Sequence, residues 1–405
     1  MASKAEDHQL AAMTEELETT KKTEGQHVVF EDINPEEERA LVRKLDRVLM
    51  PLMAFVYFFQ YLDKQSINYA SVFGLRKDLR LTGQDFSWVI SLFYFGQLCS
   101  EYPAAYLMGR LPITLFVGVT IILWGAVEMC LGATHDFRGL AAARFFLGFA
   151  EGAVSPAFII ITSNWYRRRE HPIRVATWVS MSGVSQILGS DDFSSLVING
   201  FGYSPFQTML VGLPGGAISF VTIWISALVP RFFPGTRVYT SIGLSLIPLL
   251  GSAMLLALPA KGNDWGIVAS TWLAACCSSL LSSSASMMAS NVKGNTKKSV
   301  VSAGFFIVYC VGCIVSPQAW TESDAPRYTK GCILSIASWI GLILTYVVYG
   351  VAIRRENAKR DGLAGEGNYE YMVGGHDGGQ QALQMGVAVD SDLTDVQDKG
   401  FRYNM

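Results

Sequence analysis

The stretch LPITLFVGVTIILWGAVEMCLGA, residues 111–133, decides the fold. Its sole charged side chain is Glu128. A bilayer core takes about 20 mainly apolar residues at a rise of roughly 1.5 Å each, so the run is long enough to cross one. Comparable runs lie at 49–70, 87–109, 140–163, 175–199, 206–230, 238–260, 265–290, 299–320 and 331–353, separated by polar turns. They predict about ten spans. Lipid offers no partner to backbone N–H and C=O groups, so each run closes its own hydrogen bonds as a helix. Composition agrees, with 50% of residues hydrophobic and 16% charged, too little polar surface for a soluble globule of this length. The predicted fold class is an all-α integral membrane protein, with the lipid bilayer as its solvent.

Residues 1–48 are polar and charge-rich and lack the early apolar core of a secretory signal, so they are expected to form a disordered cytosolic tail. Residues 354–405, with Glu, Asp, Gly and Gln and few large apolar groups, predict a second one. With the amino terminus inside, Arg110, the Arg167-Arg168-Arg169 run with Arg174, Arg231 with Arg237, and Lys293 with Lys297 and Lys298 all fall on the cytosolic side. The opposite turns carry fewer basic residues, so the positive-inside bias places both termini in the cytosol. The plasma membrane is the expected compartment.

Several function classes drop out. A net charge of -2 gives no sign of a nucleic-acid partner. All seven cysteines lie in apolar stretches, where they read as small buried hydrophobes and not as a disulfide or metal framework. The five histidines fall in tails or loops, which argues against a metal site or an intramembrane relay. No nucleophile, metal cluster or cofactor loop stands out, so neither an enzyme nor a cofactor is expected.

Charge at membrane depth is costly and persists where it is paired or faces water, so such residues are functional candidates. Here they gather in the first four spans: Asp63 and Lys64, Glu101, Glu128, and Arg144 with Glu151. Gln60, Lys64 and Asn68 follow i, i+4, i+8, and Tyr94, Gln97 and Glu101 follow i, i+3, i+7, so each set forms one polar stripe. Such stripes line a cavity or bind another helix. Arg144, Gly148 and Glu151 share a face, with Gly148 leaving room for a neighbouring helix or a ligand. The bland alternatives are a helix-bridging Arg144–Glu151 pair and an Asp63-Lys64 pair that snorkels to water. Glu128, beside Trp124 and close to the end of its span, reads as interfacial and is left out of the site. The small residues of 278–290 predict tight helix packing. Pro214 and Pro317 interrupt apolar runs, either as tolerated kinks or as breaks at a binding site or gate.

The run Arg144-Phe145-Phe146-Leu147-Gly148-Phe149-Ala150-Glu151-Gly152, with Pro156 and the basic Trp165-Tyr166-Arg167-Arg168-Arg169-Glu170 loop, resembles the fourth span and following loop of a known family. That family is the anion:cation symporter branch of the major facilitator superfamily. Leu62-Asp63-Lys64 with Asn68 looks like its first span, and Ser100-Glu101-Tyr102-Pro103 like its second. Ala289-Ser290-Asn291-Val292-Lys293-Gly294-Asn295-Thr296-Lys297-Lys298, with Gly312 and Pro317-Gln318, is similar to the fungal allantoate permease subgroup. The resemblance implies two helical bundles that rock about a central site, and uptake of a small organic anion, such as a carboxylate, a vitamin or allantoate, with protons. By position it implies that Asp63 and Glu151 carry protons and that Lys64 attracts the anion, while Arg144 holds the carboxylates in register. Gln60, Asn68, Tyr94 and Gln97 complete the candidate substrate contacts, and Glu101, Gly148, Pro156, Pro214 and Pro317 the structural or gating set.

The chain departs from the family between Gly189 and Phe193, where the rest of a fifth span, a sixth and the start of a seventh should stand, and Asp191-Asp192 marks the seam. An amino-terminal bundle is therefore expected over 49–190 and a carboxyl-terminal bundle, shortened at its start, over 191–353. Two rivals to an uptake carrier remain at this stage: a transport-inactive isoform or transporter-derived sensor, and an efflux carrier of the same superfamily.

Overall fold

A computed structural model describes residues 35–72, 75–79, 81, 84–167, 170–188, 205–258, 264–274, 276–320, 328–365 and 402–404. Among them helices make ten passes and no strand occurs. The first pass is α1 (Pro35–Val72), followed by the single turn α2 (Leu75–Asp78). Pro35 opens α1, where its missing N–H would be unpaired anyway, and Glu36, Glu37 and Glu38 fill the first turn, complementing the helix dipole. Next come α3 (Asp85–Met108) and α4 (Ile113–Leu131).

The fourth pass is broken into α5 (Phe137–Glu151) and α6 (Val154–Trp165). Asp136 caps α5 by accepting from the Gly139 amide at 2.8 Å. The break has a cause in sequence. Pro156 has no N–H to offer the Gly152 carbonyl, and it fits in the first turn of a new helix, where that donor is not needed. The chain continues with α7 (His171–Leu188), α8 (Pro205–Phe232), α9 (Arg237–Ala257), α10 (Asp264–Ala274) with α11 (Ser278–Asn291), α12 (Asn295–Ala319) and α13 (Thr329–Gly365).

Eight passes are long and apolar enough to cross a membrane by length and composition. The other two are α3 and α7, which turn polar side chains inward: Gln97, Ser100 and Glu101 on one, Ser180, Ser182, Ser185 and Gln186 on the other, all buried. The outside is correspondingly apolar, as with Leu115, Val119, Ile122 and Leu123 on α4 and Ile340, Leu344, Val348 and Val351 on α13. Polar inside and apolar outside is the arrangement a lipid solvent demands.

In the helices before residue 190, here labelled the first bundle, α3 packs against α5, α1 against α7 and α4 against α5; in those after it, labelled the second, α9 packs against α10 and α13, and α8 against α11. Two seams join them, α3 on α12 and α7 on α8 and α11, with α6 touching α11 and α12. The α3–α5 crossing is a backbone contact. A Cβ at Gly96 would strike the Phe145 carbonyl, and one at Gly148 the Phe93 carbonyl. The space that Gly148 was expected to leave is thus filled by a helix.

Several expectations shift. Pro214 lies within an unbroken α8, and Pro317 stands two residues before the end of α12. The last helix runs on to Gly365, past the expected boundary at 353. Cys99, Cys130 and Cys277 are exposed instead of buried, and no disulfide links any of the seven. His171, expected in a loop, is buried at the start of α7 because its ring nitrogens find Tyr166 O at 2.9 Å and Ser290 Oγ at 3.3 Å. Asp191, Asp192 and the expected seam lie outside the described residues.

One face gathers both ends of the described chain, here termed the terminal face. Arg167 pairs with Glu38, Arg174 binds Asp46 through two nitrogens at 3.2 and 2.8 Å, and Arg237 donates to Ser290 at 3.0 Å. Arg167, Arg174 and Arg237, from two of the basic turns expected on one side of the membrane, therefore meet on one side of the protein.

Candidate functional site

Helix register brings the charged residues of α1 and α5 together. On α1, Gln60 and Lys64 are one turn apart with Asp63 beside them; on α5, Arg144 and Glu151 are two turns apart on one face. Lys64 Nζ lies 2.6 Å from Glu151 Oε1, and the Gln60 amide lies beside the same carboxylate. The Trp124 indole of α4 donates to Asp63 Oδ2 at 3.0 Å. Glu128, one turn further along α4, sets its carboxyl within electrostatic reach of Asp63. Arg144 is within electrostatic reach of Asp63, Glu128, Glu151 and Tyr94.

The cluster is dry. Glu151 is 0% exposed, Arg144 2% and Asp63 8%. Yet the Arg144 Nε and Nη2 groups find no hydrogen-bond acceptor. A buried guanidinium with open donors is costly unless an acceptor comes to it.

The second bundle meets this cluster through aromatic rings. Tyr94 stands 6.2 Å from Tyr309 of α12, which packs in turn on Phe306; within the first bundle Tyr57 stacks edge-on with Trp178 of α7 at 4.9 Å. Lys64 Nζ sits 5.7 Å from the Phe93 ring centre. Aromatic faces suit a cation and an apolar solute body alike.

Asp63, Lys64, Gln60, Tyr94, Arg144 and Glu151 are thus brought to one place. Gln97 is buried one turn along from Tyr94 but faces Gly152 across the α3–α5 crossing. Glu101 is separate: it is 1% exposed, both of its oxygens lack a hydrogen bond, and its neighbourhood includes Cys310 of α12. The Asn68 side chain lies outside the described residues. Glu128, Trp124 and Tyr309 join the neighbourhood without having been picked from the sequence. For Glu128 the signal was present, because it is the lone charge in its run; nearness to the helix end argued it away. No metal-binding cluster occurs among the described residues.

Residues 53–190, which hold the whole cluster, match the model of the Major Facilitator Superfamily. An uncharacterized transporter of Schizosaccharomyces pombe is 28% identical over 93% of this chain and 92% of its own length. Allantoate permease of Saccharomyces cerevisiae is 23% identical over 92% of this chain and 88% of its own. The crystal structure of the human organic anion transporter MFSD10 (TETRAN) superposes with a TM-score of 0.49 at 12% identity, covering 77% of this chain and 99% of that one. The two fungal alignments run to 483 and 490 positions, longer than the 405-residue chain itself, so both relatives hold residues that have no counterpart here. The chain is thus similar over residues 53–190 to the major facilitator superfamily, and along most of its length to fungal proteins named as transporters or permeases.

Proposed function

We propose that this transporter takes up a small organic anion together with protons, at the plasma membrane, with the terminal face in the cytosol. The observation that carries the reading is the Arg144 guanidinium, buried beside three carboxyls and with two donors open. A planar fork of this kind fits a carboxylate. Charge counting supports the proton. Asp63, Glu128 and Glu151 face only Lys64 and Arg144, so in a dry site one carboxyl must hold a proton, and an entering carboxylate requires another. Lys64 then draws the anion in, Arg144 holds it, Asp63 and Glu151 load and unload protons, and the aromatic seam at Tyr94 and Tyr309 receives the solute body.

The test uses the purified chain in liposomes with an inward proton gradient and a panel of radiolabelled carboxylates, allantoate among them. Accumulation of at least one, driven by the gradient and abolished by Asp63→Asn or Glu151→Gln, is expected. Accumulation indifferent to the gradient, or directed outward, would overturn the coupling.

A second reading is a transport-inactive short form or ligand sensor, favoured by the residues that both fungal relatives hold beyond this chain's length. It predicts saturable ligand binding with no flux in the same liposomes.

A further inference from the structure

The segment Arg402–Asn404 is docked. Asn404 N–H donates to Asn291 Oδ1 at 2.7 Å, and Asn291 Nδ2 returns a bond to the Asn404 carbonyl at 2.9 Å. Tyr403 is held the same way by Asn357, N–H to Oδ1 and Nδ2 to C=O both at 3.0 Å. A carboxamide offers one acceptor and a paired donor, so it can close on a backbone residue much as a neighbouring strand would. Two of them on successive residues capture a stretch of peptide.

The side chains add selectivity. The Arg360 guanidinium lies 4.8 Å from the Tyr403 ring centre and donates to its hydroxyl at 3.2 Å. Arg402 Nε meets Asp361 Oδ1 at 2.7 Å. We propose that the terminal-face ends of α11 and α13 form a peptide-docking site, filled in this chain by its own Arg402–Asn404 segment as a strap beside the junction of the two bundles. The occupant is this chain's own tail because it supplies every group that the site receives.

Position gives the strap its meaning. Asn291 ends α11 and also donates to Tyr349 of α13 at 2.8 Å. The preceding residue, Ser290, takes the Arg237 bond from α9 and lies 3.3 Å from His171 of α7, in the other bundle. Fastening Asn291 therefore steadies the place where α7 bears on α11. The proposal does not rest on what the chain transports.

Amide exchange of the full chain in nanodiscs, read by mass in the fragment over 401–405, tests it. The Tyr403 and Asn404 amides should exchange about tenfold or more slower than in the free peptide of the same residues, since each donates to a carboxamide. The Asn291→Ala, Asn357→Ala double variant should restore free-peptide exchange at both, with α3 and α5 unchanged as proof of an intact fold. Asn404→Pro lies outside every span, removes one captured N–H, and should quicken exchange at the end of α11. Free-peptide exchange in the unaltered chain, slow exchange that survives the double variant, or an α11 end unmoved by Asn404→Pro would each overturn the strap.

Discussion

Arg144 and Lys64 bear the same charge, but only Arg144 presents a planar fork, and it is the one with open donors. Arg144→Lys keeps the charge and loses the paired geometry. In a transport assay the apparent KM for the anion should rise about tenfold or more, since a charge-assisted hydrogen bond is worth roughly 1.5–3 kcal/mol. Glu128 gives a different signature. If it shares the surplus proton with Asp63, Glu128→Gln should lower the number of protons moved per solute while leaving the KM close to unchanged. Simultaneous pH-electrode and isotope measurements give that ratio; an unaltered ratio makes Glu128 a bystander. These residues show what sequence could and could not convey. Asp63, Lys64, Arg144 and Glu151 were legible because charge at membrane depth demands a reason and helical spacing puts each pair on one face. Tyr309 was not, because an aromatic residue in an apolar run looks like any other core ring until α12 is packed against α3. The tail was not either, since its partners lie 46 and 113 residues away.

At the scale of elements, the α3–α5 crossing positions the site, and it depends on two glycines set backbone to backbone. Gly148→Ala drives a methyl into the Phe93 carbonyl, which cannot yield as a side chain would. A loss of about 1–3 kcal/mol is expected, as for overpacking in a tight core. Gly118 on α4 is the control, with open space where its Cβ would go and an exposed position. Gly118→Ala should stabilise slightly, by about 0.5–1 kcal/mol, through helix propensity. Thermal unfolding of the detergent-solubilised protein distinguishes the two directions, and equal effects would mean that the crossing is not close-packed. The ten passes were readable from run length alone, even for α3 and α7, whose inward polar stripes dilute their hydropathy. The break between α5 and α6 was not read, although Pro156 was in view, because a proline near mid-span can kink a helix or start a new one. Which of these occurs is settled by packing: here a second helix begins and Glu151 is left at the end of the first, facing Lys64.

At the scale of the molecule, both fungal relatives carry residues that this chain lacks, and the family match stops at residue 190. The two bundles nevertheless meet directly. Gly183 of α7 lies against Phe220 of α8, and Gly216 of α8 against Gln186 and Ile187. A seam without side-chain padding is closed by backbone contact, which lets the remaining helices hold together. Every carboxyl and every basic group of the candidate cluster comes from α1, α4 and α5, ahead of residue 190, so the absent residues can add wall and hinge but none of these charges. A chimera that inserts, at the seam expected from sequence between Gly189 and Phe193, residues that the Schizosaccharomyces pombe relative holds and this chain lacks should therefore raise the maximal rate of uptake and leave the KM for the anion close to that of the short chain. Paired measurements of initial rate against solute concentration decide it. A KM that moves with the insertion would mean that the anion is held by the inserted residues, and that the buried charges of the first bundle bind one another and little else.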